Sequence, residues 1–196
     1  MKNILILFLI FISYHLNAQD YFQQEVNYTI NVELNDENHT LEGDIYIDYT
    51  NNSPDKLGFI WFHIWPNAYK NNSTALCKQK IENGSTSLYY AKDHERGYIE
   101  KLSFKVNGKN VLSNFHPEHI DICKIILNKP LNPGESIRIS TPFFVKIPDA
   151  KFSRLGHVKQ SYMITQWYPK PAVYDKKGWH PMPYLDQGEF YSEFGS

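Results

Sequence analysis

Histidines are the residues with the most evident potential for chemistry in this chain, which contains eight of them. A zinc peptidase helix needs two histidines four residues apart, with a glutamate directly after the first, so that both imidazoles face one metal ion. The nearest string begins at His94-Glu95, but Tyr98 stands where the second histidine is required. Gly97 also weakens a helix at this point. This string therefore predicts no metal site.

A second histidine pair, His116 and His119, has a spacing of three residues and includes Pro117. Proline in what reads as a turn before a strand favours a surface loop over a metal site. The chain has no Gly-x-Ser-x-Gly nucleophile elbow and no glycine-rich phosphate loop. We therefore predict no catalytic residue and no metal ligand in this chain. The isolated histidines are typical of solvated or core positions; they are His39, His63, His157 and His180.

The two cysteines, Cys77 and Cys123, leave two interpretations open. In an oxidising compartment they could form a disulfide, which would stabilise the fold by about 3–4 kcal/mol. Alternatively, they are two separate buried thiols. Two cysteines alone are too few for a structural zinc site.

The elements that must position any site are mostly β-strands, because hydrophobicity alternates with a period of two. Apolar residues alternate over 26–34 and 41–49, with a polar turn at 35–38, which predicts a hairpin. Further strands are predicted at 57–65, 98–106, 120–127 and 137–147, with a hairpin turn at Asn107-Gly108. Six or seven strands without a convincing amphipathic helix favour an all-β fold, either an antiparallel β-sandwich or a curved antiparallel sheet.

Two segments lack this alternation. Residues 67–96 are rich in asparagine and charge, and they predict a long excursion with one short helix around 74–81. Residues 152–196 interleave aromatic residues with prolines, so that no long strand ladder can form. We expect an ordered, aromatic, proline-rich loop segment there. No charged tail or turn closes the chain at Ser196, so we expect the natural polypeptide to continue.

The first 18 residues have the pattern of a secretory signal peptide. Lys2 precedes an apolar run from Ile4 to Ile12, and the segment ends at Ala18. That run is shorter than the roughly 20 residues that cross a bilayer. We therefore expect an exported protein, periplasmic or secreted, with a mature domain at 19–196 and no membrane span. The net charge of −1 and the lack of Lys/Arg runs argue against nucleic-acid binding.

Two longer strings are the most specific features of the chain. The first is FIWFHIWPNAY at 59–69; the second is TQWYPKPAVYD at 165–175, followed by GWHP at 178–181 and GEFYSEFGS at 188–196. Together they resemble the N-terminal domain of the aminopeptidase N family of zinc metallopeptidases (the gluzincins), in particular secreted members from Bacteroidetes-type bacteria. The resemblance covers essentially the whole mature chain.

The resemblance implies a saddle-shaped antiparallel β-domain that leads into a thermolysin-like catalytic domain. In that family the catalytic domain supplies a Gly-x-Met-Glu-Asn strand and a His-Glu-x-x-His helix, whose zinc polarises the scissile carbonyl and activates water for peptide bond hydrolysis. Neither motif occurs in residues 1–196. The resemblance thus implies the non-catalytic domain of an exported aminopeptidase-like enzyme, inactive alone, with zinc held by the missing catalytic domain.

One substrate contact of such N-terminal domains matches Gln166. The resemblance implies that its amide accepts a hydrogen bond from the α-ammonium of a peptide or donates one to a backbone carbonyl. Alternatively, Gln166 only caps backbone groups at a strand end. Many members carry an acidic residue two positions further on, which neutralises the α-amine. Here that residue is Tyr168, a departure from the pattern of strict aminopeptidases.

Two other functions stay open at this stage. A stand-alone β-sandwich could bind peptide or carbohydrate through exposed aromatic side chains such as Trp179 and Tyr184. A degenerate scaffold would retain the N-terminal domain alone. In a domain shaped to pack beside a catalytic partner, we expect the aromatic segment 167–194 to be partly open to hydrogen exchange. Trp167 and Tyr168 are expected in core or interdomain packing rather than in ligand stacking.

Overall fold

The computed structural model describes residues 21–188 and residue 191. That part of the chain forms fourteen β-strands, one α-helix and two short 3₁₀ helices. The helix α1 spans Ala75–Glu82, and the 3₁₀ helices span Trp65–Tyr69 and Asp93–Glu95. The strands are β1 (Glu25–Asn35), β2 (Thr40–Thr50), β3 (Leu57–His63), β4 (Tyr98–Glu100), β5 (Lys105–Val106), β6 (Lys109–Asn110), β7 (Leu112–Phe115), β8 (Ile122–Leu131), β9 (Ser136–Lys146), β10 (Gly156–Val158), β11 (Ser161–Met163), β12 (Lys170–Pro171), β13 (Tyr174–Asp175) and β14 (Gly178–Trp179).

The larger sheet, sheet A, is built on the long strands β1, β2 and β9, which pair antiparallel along their whole lengths. Its order is β1-β2-β9-β5-β6, and β4 also pairs with β9. Successive side chains of a strand point to opposite faces, so one face of β2 carries the buried residues Leu41, Ile45, Ile47 and Tyr49. The hairpin predicted from the alternation at 26–34 and 41–49 is confirmed.

The smaller sheet, sheet B, has the order β12-β3-β8-β7. Its inner face carries Ile60 and Phe62 from β3 and Ile125 and Leu127 from β8, all of them buried. The inner faces of the two sheets share one hydrophobic core, in which the ring centre of Phe62 lies 4.9 Å from that of Phe104. The predicted all-β fold, an antiparallel β-sandwich, is confirmed.

Two predicted strands differ from the observed ones. The strand predicted at 98–106 is divided into β4 and β5, because Lys101 adopts a left-handed conformation, with φ of 61°, that interrupts the extended chain. The apolar side of β1 is buried only at its start: Val26 is buried, whereas Val32 is 45% and Leu34 is 42% exposed. Among the residues that the structure describes, β1 is the edge strand of sheet A and pairs with a strand on one side only.

The helix α1 forms where the sequence predicted a short helix, at 74–81. Thr74 caps its N-terminus, since the Thr74 hydroxyl accepts a hydrogen bond from the backbone N–H of Cys77, 3.3 Å away. Leu76 and Cys77 are buried and anchor the helix on the core.

The two cysteines are separate thiols, which is the second of the two interpretations of the sequence. Cys77 and Cys123 are both free and buried. Burial raises the pKa of Cys77, and it raises the pKa of Cys123 to about 12. Both thiols therefore stay protonated at neutral pH, and neither has the character of a nucleophile.

Gly43 permits a close approach between β1 and β2. A Cβ atom at this position would lie 2.0 Å from the carbonyl oxygen of Asn31 and 3.0 Å from the Cα atom of Val32. A side chain fits there only if the hairpin opens. Gly58 in β3 is different, since no atom lies within 4 Å of the corresponding position.

The described residues after β9 form no long ladder, as the prolines of this segment predicted. Strands β10 and β11 form one isolated hairpin and β13 and β14 another, while β12 adds two residues to the edge of sheet B. The described part of this segment is nevertheless packed, because Phe152, Leu155 and Tyr184 are buried.

No helix in the described part of the chain is both long and apolar enough to cross a bilayer. The predicted signal peptide at 1–18 lies outside the described residues, as does most of the string at 188–196. Export and the boundaries of the mature domain stay predictions.

Candidate functional site

The two strings that carry the sequence resemblance lie side by side in the structure. Strand β3 belongs to the first string and β12 to the second, and the two strands pair antiparallel, with Lys170 opposite His63. The backbone N–H of Ala172 continues this pairing by donating to the carbonyl oxygen of Trp61, 2.8 Å away. Pro169 precedes β12 and Pro171 is its second residue; both lack a backbone N–H, which limits this strand to two residues at the sheet edge.

A third part of the sequence, the 180–187 segment, is held against these strands by side chains. The backbone N–H of Met182 donates to Nε2 of His63 at 3.1 Å, and the indole N–H of Trp65 donates to the carbonyl oxygen of Met182 at 3.0 Å. Further along, the ammonium of Lys80 binds a carboxylate oxygen of Asp186 at 2.9 Å. Side-chain hydrogen bonds thus replace strand pairing in fixing the path of this segment.

These contacts create a group that we call the Lys170 cluster: His63, Trp65, Gln166, Lys170 and Met182. Lys170 is only 8% exposed, and its ammonium nitrogen lies 4.5 Å from the ring centre of Trp65, within the range of cation–π attraction. The same ammonium donates a hydrogen bond to Oε1 of Gln166. Burial lowers the pKa of Lys170 to about 8, so the side chain remains mostly charged at neutral pH.

His63 forms the buried floor of the Lys170 cluster. It is 1% exposed and stacks on Trp65, with ring centres 4.4 Å apart and an angle of 17° between the planes. Burial, followed by the charge of Lys170, lowers the pKa of His63 to about 3, although the backbone of His180 partly opposes this shift. His63 is therefore neutral at physiological pH. Since Nε2 accepts the Met182 N–H, the proton of the neutral ring is assigned to Nδ1.

Gln166, the residue predicted to contact substrate, lies at the half-buried edge of the Lys170 cluster. Its backbone is left-handed, with φ of 55°, a conformation that non-glycine residues adopt only when their surroundings hold them there. Its amide oxygen accepts the hydrogen bond from Lys170. Its amide nitrogen donates to no residue in the described part of the chain.

The two aromatic residues after Gln166 pack on sheet A. The ring centre of Trp167 lies 5.6 Å from that of Phe143 in β9, and the ring centre of Tyr168 lies 5.4 Å from that of Tyr28 in β1. Burial raises the pKa of Tyr168, so its hydroxyl stays neutral. The predicted packing role of Trp167 and Tyr168 is confirmed for the contacts within this domain.

Asp121 is a buried carboxyl group that anchors the 180–187 segment. It is almost inaccessible to solvent, and its Oδ2 accepts a hydrogen bond from the backbone N–H of Tyr184 at 2.7 Å. Burial raises the pKa of Asp121 to about 6, although the Tyr184 N–H and the charge of His116 oppose the shift. Nothing in the local sequence around Asp121 distinguished it from a surface aspartate.

The aromatic residues proposed for ligand binding are placed differently from the prediction. Tyr184 is buried, with its ring centre 5.9 Å from that of Trp65 and 5.6 Å from that of Tyr69. Trp179 is half-buried and packs against Tyr174, with ring centres 4.9 Å apart. The prediction of Tyr184 as an exposed binding residue is wrong, because its backbone and ring are both held in the core.

The histidines that looked isolated in the sequence have side-chain partners in the structure. The ring of His39 stacks on that of His157, with centres 3.6 Å apart, and its Nδ1 lies 2.8 Å from the hydroxyl of Tyr162. Burial first and the neighbouring His157 second lower the pKa of His39. Nε2 of His180 lies 2.8 Å from Oδ1 of Asp175. His39 and Tyr162 are 123 positions apart, so their sequence spacing carried no signal, whereas Asp175 and His180 lie five residues apart at the β13–β14 hairpin.

Metal ligation finds no support in the described residues. His116 and His119 lie in the loop between β7 and β8, as predicted, with ring centres 5.0 Å apart. Across the described ranges, no group of three or more His, Cys, Asp or Glu residues could hold a metal ion. The zinc that the sequence resemblance implies therefore fits no ligand set in this part of the chain.

Comparisons with known proteins give matches among solved structures only. No protein-family model matches the chain, and no curated protein matches it. A two-domain M1 zinc metallopeptidase mutant bound to L-tryptophan is 15% identical with a TM-score of 0.37; the match covers 66% of this chain and 21% of that one. An M1 zinc metallopeptidase mutant from Deinococcus radiodurans, bound to a Tyr-Ser-Ala substrate, is 12% identical with a TM-score of 0.39, covering 72% and 25%.

A structure of another kind matches to a similar degree. It is a putative nutrient binding protein from Legionella pneumophila, 11% identical with a TM-score of 0.36, and the match covers 65% of this chain and 40% of that one. The chain spans about a fifth to a quarter of the length of the two metallopeptidases. Because every TM-score is below 0.5 and every identity below 25%, these likenesses establish neither a family nor an activity for this chain.

Proposed function

We propose that this chain is the N-terminal, non-catalytic domain of an exported zinc metallopeptidase of the aminopeptidase type, and that the Lys170 cluster forms part of its substrate cleft. One observation carries the proposal: the strings that bear the resemblance, far apart in sequence, meet in the Lys170 cluster, where Lys170 pairs with the buried His63 and Met182 binds the same histidine. A half-buried glutamine at the edge of this cluster supports a role in peptide binding.

A protein partner for this domain is part of the proposal. Trp167 and Tyr168, the two residues after Gln166, pack on sheet A. The exposed apolar side chains of Val32 and Leu34 lie on the same sheet, on β1. Val32 of β1 pairs with Gly43 of β2, and Gly43 pairs in turn with Phe143 of β9. Phe143 is the residue that the ring of Trp167 contacts. An apolar surface of this kind beside a polar site is typical of a protein interface. We assign it to the catalytic domain, which would supply the zinc ligands and the general base.

The test compares the protein isolated from the cells that make it with a recombinant chain of residues 19–196. We expect the isolated protein to hydrolyse peptides, to lose this activity on zinc chelation and to regain it when zinc returns. We expect the recombinant chain to have no peptidase activity. Peptide hydrolysis by the 19–196 chain with a bound zinc ion would contradict the proposal, as would an isolated protein that ends at Ser196 without a catalytic partner.

Export is tested separately by the N-terminus of the isolated protein. Cleavage after Ala18 makes Gln19 the first residue of the mature chain. We expect mass spectrometry to find this N-terminus in periplasmic or secreted material. Intact protein that begins at Met1 in the cytoplasm would contradict export and leave the role of the Lys170 cluster to be decided by the peptidase test.

A second candidate function is a binding module for carbohydrate, favoured by the outer face of sheet B. Phe59 and Trp61 are half-buried on this face, and the ammonium of Lys124 lies 5.1 Å from the centre of each ring. Leu112 of β7 is exposed on the same face, because Leu112 and Phe59 both pair with Ile126 of the strand between them, β8. Aromatic faces flanked by a hydrogen-bond donor suit a sugar ring.

This second function is tested with soluble glycans. We expect saturable quenching of tryptophan fluorescence if the outer face binds sugar, and loss of that signal in Trp61→Ala. Tyr90→Ala serves as the control, because Tyr90 is an exposed aromatic residue that belongs to neither sheet. Unchanged fluorescence with every glycan tested would exclude this function for the glycans used and leave the peptidase-domain proposal standing.

A further inference from the structure

Two stacked imidazole rings join parts of the chain that are far apart in sequence. His39 lies in the turn between β1 and β2, and His157 lies in β10. Their ring centres are 3.6 Å apart, with an angle of 20° between the planes. The ring of Tyr162 in β11 completes the group, with its centre 5.9 Å from that of His39 and 6.1 Å from that of His157. The β1–β2 turn and the β10–β11 hairpin therefore meet through three aromatic side chains.

Within the described part of the chain, no strand pairing supports this junction, since β10 and β11 form a separate two-stranded sheet. Each half is anchored instead on the residues that directly follow β9. The backbone N–H of Ile147 donates to the carbonyl oxygen of His39 at 2.9 Å, and the N–H of His157 donates to the carbonyl oxygen of Pro148 at 2.9 Å. The described hydrogen bonds and ring contacts between the two halves all involve a side chain of His39, His157 or Tyr162.

The hydrogen bonds of the histidine pair decide where each neutral ring carries its proton. The hydroxyl of Tyr162 donates its only hydrogen to the carbonyl oxygen of Asp36 at 3.2 Å, so it accepts from Nδ1–H of His39 at 2.8 Å. Nδ1 of His157 lies 3.3 Å from the carbonyl oxygen of Lys159, which can only accept. Both protons are therefore assigned to Nδ1, and each Nε2 atom carries a lone pair. A further proton would bind at Nε2 and would break neither hydrogen bond.

Protonation of both rings would place two positive charges in direct contact. Repulsion between unit charges rises as their separation falls, and the stacked rings are as close as neighbouring side chains become. Burial, the neighbouring His157 and Lys146 of β9 lower the pKa of His39 from its usual 6.5, and Asp36 only partly opposes them. Desolvation raises the pKa of Tyr162, so its hydroxyl stays neutral and supplies no negative charge.

The other charged groups of the hairpin and its anchor do not offset this repulsion. Lys159, in the turn of the hairpin, is a further cation. Asp149 lies beside His157 in an isolated bridge, but its carboxylate is already engaged by Lys151. Oδ2 of Asp149 lies 3.8 Å from the Lys151 ammonium, and Oδ1 accepts the backbone N–H of Lys151 at 2.9 Å. Positive charge therefore accumulates at the junction as the histidines titrate.

We propose that the stacked His39–His157 pair is an acid-sensitive latch, which joins the β1–β2 turn to the β10–β11 hairpin when both rings are neutral and releases the hairpin when both are protonated. The open form binds protons more readily than the latched form, so the latch holds above pH 6.5 and weakens as pH falls below this value.

The latch also affects the chain that follows it. Met163, the last residue of β11, is three positions before Gln166, so release of the hairpin loosens the segment that leads into the Lys170 cluster. The latch residues themselves lie outside that cluster. The inference therefore does not depend on the proposed function.

Hydrogen exchange of the protein at its natural length measures this opening, by mass spectrometry at pH 7.5 and pH 5.0 with correction for the intrinsic exchange rates. Peptides from β3 and β8 are the internal reference for changes in global stability. On going to pH 5.0, we expect protection of the 36–39 turn and the 156–163 hairpin to fall at least tenfold more than protection of the reference peptides. An equal change in all of these regions would overturn the inference.

Two variants test whether the histidine pair causes the opening. His39→Asn and His157→Gln each remove one titratable ring, and asparagine suits the left-handed backbone at position 39, where φ is 53°. In either variant we expect the excess loss of protection at pH 5.0 to be threefold or less. His119→Gln, in the loop between β7 and β8, should retain the wild-type loss. An excess loss that survives in both latch variants would overturn the inference.

Nitrogen NMR of the imidazole rings provides a second test that needs no variant. At pH 7.5 we expect both His39 and His157 to be in the Nδ1–H tautomer, with the proton exchange at Nε2 that accompanies titration beginning only as pH falls. An Nε2–H tautomer in either ring at pH 7.5 would overturn the inference, because the added proton would then have to break one of the hydrogen bonds that hold the pair.

Discussion

The ammonium nitrogen of Lys170 lies 4.5 Å from the ring centre of Trp65, so this ring is one of the partners of a nearly buried cation. His63 stacks on the same ring, and the Trp65 indole N–H is used by the backbone of Met182. Trp65 therefore links β3, β12 and the 180–187 segment. The chemistry of the site follows from this arrangement, because it sets both the orientation of Gln166 and the neutrality of His63.

Replacing Lys170 with methionine should stabilise the protein at neutral pH. Burial lowers the pKa of Lys170 from 10.5 to about 8, so the unfolded chain binds this proton more tightly than the folded chain. Wild-type stability then rises as pH increases from about 8 to about 10.5. We expect Lys170→Met to raise the free energy of unfolding by about 1–2 kcal/mol at pH 7, and by much less at pH 10.

Urea denaturation at both pH values measures this difference. The control is Lys176→Met at an exposed position, which we expect to change stability by less than about 0.5 kcal/mol. A loss of stability in Lys170→Met at pH 7 would show that the cation–π contact outweighs the cost of burying the charge.

Replacing His63 with glutamine should protect the protein against acid. The pKa of His63 falls from 6.5 in the unfolded chain to about 3 in the folded one, so its contribution to stability is present above pH 6.5 and is lost as pH falls through this window. The glutamine retains an acceptor for the Met182 N–H. Relative to the wild type, we expect His63→Gln to gain about 2–3 kcal/mol between pH 7 and pH 4.

Denaturation curves of both proteins across this pH range provide the measurement. Ser113→Ala, at an exposed position of β7, offers a control, since it removes no ionisable group and should leave the difference from wild type constant over the same range. A pH-independent difference for His63→Gln would mean that His63 is accessible to protons in the folded state.

The carboxyl group of Asp121 gives the free energy of unfolding a pH dependence opposite to that of His63. Burial raises the pKa of Asp121 from 3.8 to about 6, so the folded chain binds the proton more tightly and wild-type stability falls as pH rises between these values. Asp121→Asn retains an oxygen acceptor for the Tyr184 N–H but carries no charge. We expect it to be about 1–2 kcal/mol more stable than the wild type at pH 7 and equal to it at pH 4.

Thermal or urea unfolding at pH 4 and pH 7 tests this expectation. The exposed Asp44 is the control, and Asp44→Asn should change little at either pH. If Asp121→Asn were less stable than the wild type at pH 7, the carboxylate would be making a stronger bond to the 180–187 segment than its burial costs.

Gly43→Ala should open the β1–β2 hairpin, since the new methyl group would lie 2.0 Å from the Asn31 carbonyl oxygen. We expect a loss of at least about 2 kcal/mol in the free energy of unfolding and faster amide exchange in β1. Gly58→Ala is the matched control in β3, where the space is open, and it should be neutral or slightly stabilising. Equal effects of the two substitutions would contradict the close approach.

The sandwich could be predicted because its information is local. Each strand alternates its own buried and exposed side chains, so Ile45 and Ile47 of β2 show their common face without knowledge of the other strands. The points at which strands end were harder to predict. The division between β4 and β5 depends on the left-handed backbone of Lys101, and lysine has no local sequence signature for that conformation.

Of the Lys170 cluster, only Gln166 was named as a site residue from the sequence, through the resemblance, and its substrate contact stays a prediction. The Lys170 cluster depends on contacts between distant residues, such as the bond from Met182 to His63, 119 residues away. The sequence presents Lys170 as an ordinary lysine between prolines and His63 as a lone histidine. Their burial and coupled charge states arise only when the 180–187 segment lies over β3. The assignment of Tyr184 as exposed was wrong for the same reason.

Peptide hydrolysis by Gln166→Ala, in the protein at its natural length, tests the central claim most directly. The control is Gln160→Ala, at the exposed turn between β10 and β11. If Gln166 lines the substrate cleft, the Gln166→Ala variant should show a KM raised about tenfold or more for a peptide substrate, and Gln160→Ala should match the wild type. Wild-type kcat and KM in Gln166→Ala would contradict the account.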